Sequence, residues 1–291
     1  MTFTVLQSVY KKDNPEFLAQ SLQSIAESTR PPEKVVLVKD GPLTPGLEAV
    51  IGEWRTRLPL HVVGYAENRG LAHALNFGLQ FVETELVARM DSDDICYANR
   101  FEKQIGFMET HPEVALCSGY ISEFSSSQMS PSSIRRVPLL HEEIAAYLKK
   151  RNAFNHMAVC FRRSAVLEAG GYQDVPYFED WDLWIRIVQK GFAVANIPEL
   201  LVNARIGNDM IGRRHGLSYA RREISFLRRQ LGSGFITGKE YRALLMKRVP
   251  VRLLPKRALE FVYGILRGGG NYYSVKYAFC VPSPFWQGKA A

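Results

Sequence analysis

Leu86-Val87-Ala88-Arg89-Met90-Asp91-Ser92-Asp93-Asp94 runs from a short apolar stretch straight into three carboxylates within four residues. Acids gathered this closely repel one another unless a cation sits among them. Hard divalent cations take oxygen ligands and keep substrate phosphates in their coordination shell. In an α/β sheet, ligands bind at the carboxyl ends of the strands. The stretch therefore reads as a strand ending in an Asp-x-Asp that holds Mg²⁺ or Mn²⁺ and, with it, a nucleotide diphosphate. An acidic surface turn is the plain alternative, so the neighbouring segments decide between them.

Working outward, short apolar and β-branched runs at 4–9, 34–38, 60–65 and 86–90 predict strands. Between them the apolar spacing predicts helices, marked by Phe17, Leu18, Leu22 and Ile25, by Leu47, Val50, Ile51 and Trp54, and by Leu71, Ala74, Leu75, Leu79 and Val82. Strand and helix alternating three times is the pattern of a parallel sheet with right-handed crossovers. Further on, 122–133 is serine-rich and reads as a loop. A helix over 141–150, a strand over 156–161 and an amphipathic helix over 180–189 follow. There are no internal repeats.

A parallel sheet puts the four loops after these strands on one edge. They contain Ser8-Val9-Tyr10, Lys39-Asp40-Gly41, Glu67-Asn68-Arg69-Gly70 and the acidic run. Tyr10 can stack on a base, and Asp40 can accept hydrogen bonds from a uracil or a ribose. Gly70 opens a helix whose first amides can face an anion, with Arg69 beside it. Each loop alone is ordinary, and Asp40-Gly41 is a common turn. Their joint occurrence at four successive strand ends is what points to a nucleotide site.

Composition bounds the rest. The 291 residues are 46% hydrophobic, enough for a globular core. Cys96, Cys117, Cys160 and Cys280 are far apart and form no Cys-x-x-Cys, which argues against a zinc site or a disulfide framework and fits a reducing compartment. No signal-peptide pattern opens the chain, and no apolar run approaches the ~20 residues that span a bilayer. The expectation is a soluble or peripheral, cytoplasmic protein. The net charge of +8 is uneven: residues 1–200 carry 20 Lys+Arg against 25 Asp+Glu, and residues 201–291 carry 17 against 4. A boundary near residue 200 is implied.

The motifs together, Ser8 and Tyr10, Val38-Lys39-Asp40-Gly41, Asn68-Arg69-Gly70-Leu71-Ala72, Ala88 to Asp94 and Glu179-Asp180, resemble the family 2 glycosyltransferases of GT-A fold over about residues 2–215. Within that family the resemblance is to enzymes of bacterial surface-polysaccharide assembly, the amylovoran and O-antigen transferases. It implies an α/β fold with a Rossmann-like, mostly parallel sheet flanked by helices. Residues 1–215 would form the nucleotide-sugar domain and 216–291 a basic helical extension.

By the same resemblance, Ser8, Tyr10, Asp40 and Arg89 would contact the uridine, with Asn68 or Arg69 near it or near the phosphates. Asp91 would approach the ribose, Asp93 would ligate the metal, and Asp180 would be the catalytic base. The alternative for Asp180 is an N-cap, since an apolar stripe of Trp181, Trp184, Ile185 and Val188 starts directly after it. Asp182 reads as a first-turn acid favoured by the helix dipole. Gly170-Gly171-Tyr172 resembles the acceptor-side loop, with a helix C-cap as its alternative. His156 would lie towards the diphosphate, and the run Met210 to His215 resembles a mobile loop closing over it, with Arg213 and Arg214 offsetting phosphate charge and His215 reaching the metal.

The implied reaction is a metal-dependent inverting transfer of a hexose or N-acetylhexosamine from a UDP-sugar donor to a lipid-linked glycan acceptor. The extension carries the arginine pairs 213–214, 221–222 and 228–229 at helical spacing, interleaved with Ile224, Phe226, Leu227 and Leu231. Such a face suits an anionic membrane surface better than nucleic acid in a pathway with lipid-linked acceptors. A face packed on the catalytic domain is its alternative. Two other classes weigh less. A nucleotidyltransferase would place a glycine-rich basic loop after the first strand, where this chain has Val9-Tyr10-Lys11-Lys12-Asp13-Asn14-Pro15. A non-catalytic nucleic-acid-binding protein leaves the acidic run and Asp180 without a role.

Overall fold

The computed structural model describes residues 1–125, 133–206 and 215–254. Strands β1 (Phe3–Val9), β2 (Lys34–Asp40), β3 (Leu60–Tyr65) and β4 (Leu86–Met90) pair in parallel in the order β3-β2-β1-β4. With β2 on one side of β1 and β4 on the other, the strand order reverses at β1. The crevice outside the carboxyl ends of β1 and β4 is where such sheets bind ligands, and the acidic turn lies there.

Alternation along the strands separates two cores. Phe3, Val5, Val35, Leu37, Leu86 and Ala88 face helices α1 (Pro15–Ala26), α2 (Pro45–Trp54) and α4 (Arg100–Thr110). Leu6, Val36, Val38 and Val87 face α3 (Leu71–Leu79), α5 (His141–Leu148), α6 (Arg163–Glu168), α7 (Glu179–Gln189) and α8 (Gly216–Gly232). The starts of α1 and α2 follow from sequence: Asn14 and Thr44 cap them, each with proline in the first turn. At Gly78, a Cβ would stand 2.5 Å from Leu6 Cδ1, so the glycine lets α3 lie close on β1 and β2.

The second half of the sheet departs from the expected alternation. β8 (Cys160–Arg162) runs antiparallel to β4, followed by β6 (Val114–Ser125) and by β9 (Ala193–Ile206), which is parallel to β6. The short β5 (Ile95–Cys96) closes the edge and β7 (Ser133–Arg135) pairs with β6. The strand expected over 156–161 is a 3₁₀ turn at His156–Ala158 followed by β8. Of the loop expected over 122–133, Ser122–Ser125 instead complete β6 and Ser133 opens β7. Ser122 is accommodated by donating to Asn203 on β9; residues 126–132 lie outside the described set.

Helix α8 is not separate from this core. Its Tyr219, Phe226 and Leu227 pack with Phe178, Trp181 and Trp184 of the α7 region. α9 (Gly238–Arg252) opens on a capping box of Thr237 and Glu240. It is held to α8 by Arg248 and Arg252 on the buried Glu223. No helix among the described residues is long and apolar enough to cross a membrane.

Candidate active site

The turn after β4 is built before any ligand arrives. The Asp91 carbonyl accepts from Gln7 Nε2 (2.9 Å) and Ser21 Oγ (2.9 Å). Arg100 donates to the Arg89 carbonyl (2.7 Å), and Arg205, at the end of β9, donates its amide to Asp94 Oδ1 (2.7 Å) and its Nε to the Asp93 carbonyl (3.0 Å). Held this way, Asp91, Asp93 and Asp94 bring one carboxylate oxygen each within 4.8 Å of one another. Burial, then the charges of Asp91 and Asp13, pushes the Asp93 carboxyl up to about 6. Asp94 rises further for the same reasons, burial first.

These residues fit a divalent cation. An all-oxygen set of acids, forced together by the backbone, is what Mg²⁺ or Mn²⁺ takes. The Asp91 carboxylate already pairs with the Arg89 guanidinium and Asp94 accepts the Arg205 amide, which leaves the Asp93 carboxylate without a hydrogen bond or ion pair to another residue among the described residues. His215 caps the start of α8 and is not part of this group. Arg213 and Arg214 lie outside the described residues. Asp13 is a fourth carboxylate that sequence reading missed. It accepts from the Tyr10 amide (3.1 Å) and Ser92 Oγ (2.8 Å), and burial pushes it up to about 6. Only its place in the β1 loop, three residues after Tyr10, signalled it.

On the nucleotide side, Ser8 and Tyr10 are half-buried at the end of β1. Asp40 is buried and accepts four hydrogen bonds from within the chain: Tyr65 Oη (2.8 Å), Asn68 Nδ2 (2.8 Å), Arg69 N (2.7 Å) and Gly70 N (3.1 Å). The anion at the start of α3 is thus Asp40 itself. Asn68 and Arg69 are exposed on the loop that Asp40 shapes. Gly41 is required beside it: φ is +82° and a Cβ would stand 2.6 Å from the Asn68 amide.

Arg89, which the resemblance makes a uridine contact, is buried in β4. The pleat of β4 turns it towards α7, where it is only 2% exposed, ion-paired to Asp91 by Nη2, with Nε and Nη1 unpartnered. Its charge acts on Tyr172, His156, Glu179 and Asp180. Burial, with Arg89 second, holds the His156 ring neutral, and its Nε2 lies 3.1 Å from Tyr172 Oη. Gly170-Gly171 closes α6 as a Schellman cap, with Gly171 N on Val166 O and Gly170 N on Leu167 O (both 2.9 Å). The same cap delivers Tyr172 to His156.

Asp180 is in the first turn of α7, but Phe178, not Asp180, is the N-cap. Its Oδ1 accepts from Trp181 N (2.7 Å) and its Oδ2 from Asn152 Nδ2 (2.7 Å). The Asn152 amide cannot flip freely, since its Oδ1 takes the Phe154 amide (3.1 Å). Asn152 was not legible as a site residue. Burial raises the Asp180 carboxyl, opposed by the two hydrogen bonds and by Arg89. Glu179 beside it is pushed up to about 7 by burial and then by Asp180. Asp182 is a first-turn acid of α7, as expected, and it is also fully buried. It accepts from Arg186 Nε (2.7 Å), Arg229 Nε (2.7 Å) and Gln230 Nε2 (3.2 Å), tying α7 to α8.

An acidic turn at the switch point of a mostly parallel, helix-flanked sheet is the architecture of the GT-A fold. Residues 4–171 match the profile of Glycosyl transferase family 2, and the chain belongs to that family. It is a glycosyltransferase. It is 42% identical to the amylovoran biosynthesis glycosyltransferase AmsE of Erwinia amylovora over 264 residues, 90% of this chain and 97% of that one. It is 36% identical to the UDP-Gal:alpha-D-GlcNAc-diphosphoundecaprenol beta-1,3-galactosyltransferase of Escherichia coli, covering 90% and 94%. The fold is similar to S. aureus TarS 1-349 in complex with UDP-GlcNAc (TM-score 0.62, 17% identity, 84% of this chain and 70% of that). It is also similar to the mannosyltransferase PcManGT of Pyrobaculum calidifontis in complex with GDP-Man and Mn²⁺ (TM-score 0.61, 19% identity, 96% and 76%).

Proposed function

We propose that this enzyme moves a hexose or N-acetylhexosamine from a UDP-sugar to a hydroxyl of a lipid-linked glycan, with inversion, in bacterial surface-polysaccharide synthesis at the inner face of the cell membrane. The observation that carries the reading is the pairing of two carboxylate sites around one buried cation: the Asp91-Asp93-Asp94 group and Asp180, both within the field of Arg89. The relatives in amylovoran synthesis and on a diphosphoundecaprenol acceptor support the pathway and the acceptor class.

Displacement at an anomeric carbon forms one bond, from the acceptor oxygen to C1, and breaks one, from C1 to the diphosphate. The acceptor proton must go to a base, and Asp180 is placed for it. Each of its oxygens holds one internal hydrogen bond and keeps a lone pair for the acceptor hydroxyl. Burial raises its proton affinity towards the working pH, which is what a general base needs. Asp91 and Asp93 would hold the divalent cation, which supplies the positive charge that offsets the departing diphosphate. Asp40 orders the Asn68-Arg69 loop on the nucleotide side, and Tyr172 with His156 lines the floor between the two carboxylate sites.

Asp180→Asn tests the base. Asparagine keeps the size and the Trp181 contact but cannot take a proton. Turnover should fall by about 10²–10⁴-fold, with UDP affinity by calorimetry unchanged. Near-normal turnover would reduce Asp180 to a helix-start residue.

A further inference from the structure

Beside the base stands a strained aromatic residue that the reaction as described does not use. Tyr177 is the one non-glycine with positive φ (72°) among the described residues, a conformation that side chains larger than glycine's resist. Its ring is nonetheless 48% exposed. Tyr219 of α8 lies against it (centroids 5.3 Å), and the Arg222 guanidinium stands 5.2 Å over it. Arg222 is exposed and has no carboxylate partner among the described residues. Three other arginines of these helices are committed: Arg229 to Asp182, and Arg248 and Arg252 to Glu223.

α8 runs alongside α7 in the same direction. Phe178 meets Tyr219 and Phe226, and Asp182 meets Arg229 and Gln230. The pair Tyr177–Arg222 is thereby fixed at the same end of α7 as Asp180. Tyr177 and Asp180 are three residues apart, so their Cα atoms are separated by at most about 11 Å.

We infer that Tyr177 and Arg222 form the acceptor subsite for a glycosyl phosphate. The sugar ring lies on the Tyr177 face and its anomeric phosphate on the Arg222 guanidinium, which leaves another hydroxyl of that sugar to reach Asp180. The inference rests on the transfer reading above and adds to it the recognition of the acceptor's charge. A flat aromatic face suits the apolar side of a pyranose. A planar guanidinium suits a phosphate by two parallel hydrogen bonds. The strain at Tyr177 has a use in this arrangement, since a residue with relaxed φ at the start of α7 would carry its ring elsewhere.

The test measures acceptor kinetics on two soluble acceptors: GlcNAc α-linked to a diphosphate with a short alkyl chain, and the alkyl glycoside of the same sugar without phosphate. Arg222→Gln should raise KM for the diphosphate acceptor by about ten- to a hundredfold, the scale of a lost charge-assisted hydrogen bond, and leave KM for the phosphate-free acceptor where it was. Tyr177→Gly relieves the positive φ, so its Tm should hold or rise while KM rises for both acceptors; Tyr177→Phe should restore KM. UDP affinity should hold in every variant.

An Arg222→Gln shift equal on both acceptors, or absent, overturns the inference. So does a loss seen only when a lipid-anchored acceptor is presented in phosphatidylglycerol vesicles, which would make Arg222 a headgroup contact. Wild-type enzyme that transfers to neither acceptor would instead sink the transfer reading itself.

Discussion

The acidic turn after β4 is fastened to four separate parts of the fold, through Gln7, Ser21, Arg100 and Arg205, whereas Asp180 on the other side of Arg89 is held by the single side chain of Asn152. Under the proposed mechanism the difference follows from what each carboxylate would do. Acids that repel one another must be held from behind in order to receive a cation of fixed radius. A base must change its charge in each cycle, so its surroundings tune it without locking it.

The largest effect should come from attacking the rigid side. Asp93→Ala, or chelation with EDTA, should reduce transfer to background, with Mn²⁺ or Mg²⁺ restoring the chelated wild type. The melting temperature of the variant should stay near wild type, because the turn is held by backbone contacts that do not involve the Asp93 side chain. Transfer by the fully chelated enzyme would break the comparison at its root.

Next in size is the tie between α7 and α8. Asp182→Ala leaves Arg186 and Arg229 facing an empty buried position, and removing one partner of a buried pair costs about 3–5 kcal/mol. Urea unfolding should show it. A loss under ~1 kcal/mol would mean that α8 is only loosely attached to the catalytic face.

A smaller effect sharpens the account of the tuned side. Asn152 opposes the upward pull of burial on Asp180. Asn152→Ala should let the carboxyl rise further. Since the ionised form is the base, the acid limb of the kcat/KM profile should move to higher pH, with the high-pH plateau largely kept. An unmoved limb would show that Asn152 does not govern Asp180.

The smallest concerns the exposed face of α8. Arg221 and Arg228 are one heptad apart and exposed, while Arg229 is engaged by Asp182. Arg221→Gln with Arg228→Gln should weaken sedimentation with phosphatidylglycerol vesicles by about 1 kcal/mol per charge at low salt. Binding insensitive to both charge and salt would assign this face to packing and solvent.

Much of the rigid side was legible in the sequence, and little of the other. Parallel strands with helices between them announce themselves by local periodicity, and the Asp91-Asp93-Asp94 run is contiguous. β6 is buried along nearly its whole length, so it shows no alternation, and its serines read as a loop. β9 is interrupted by Pro198 and Glu199, where its register with β6 shifts. Asn152, Asp13 and Arg205 reach the site through contacts to Asp180, Ser92 and Asp93–Asp94, distant in sequence, that spacing cannot reveal. Arg89 was legible as a residue, but its burial and its ion pair with Asp91 come from tertiary packing. Asp182 looked like any acid in a first turn until α8 covered it.

Asn76 adds a geometric constraint of another kind. Its amide donates to the Tyr172 carbonyl (2.6 Å) and accepts from the Tyr172 amide (2.8 Å), while six residues earlier Gly70 is pinned by Asp40. α3 is therefore a ruler with a fixed count, fastened at one end to the nucleotide loop and at the other to the floor of the acceptor side. One residue inserted between Gly70 and Asn76 would turn the asparagine by about 100° away from Tyr172 and leave the nucleotide loop intact. The two sides of the site are thus kept in phase by helical pitch, and a change in the length of this helix is heard at the far side before it is felt at the near one.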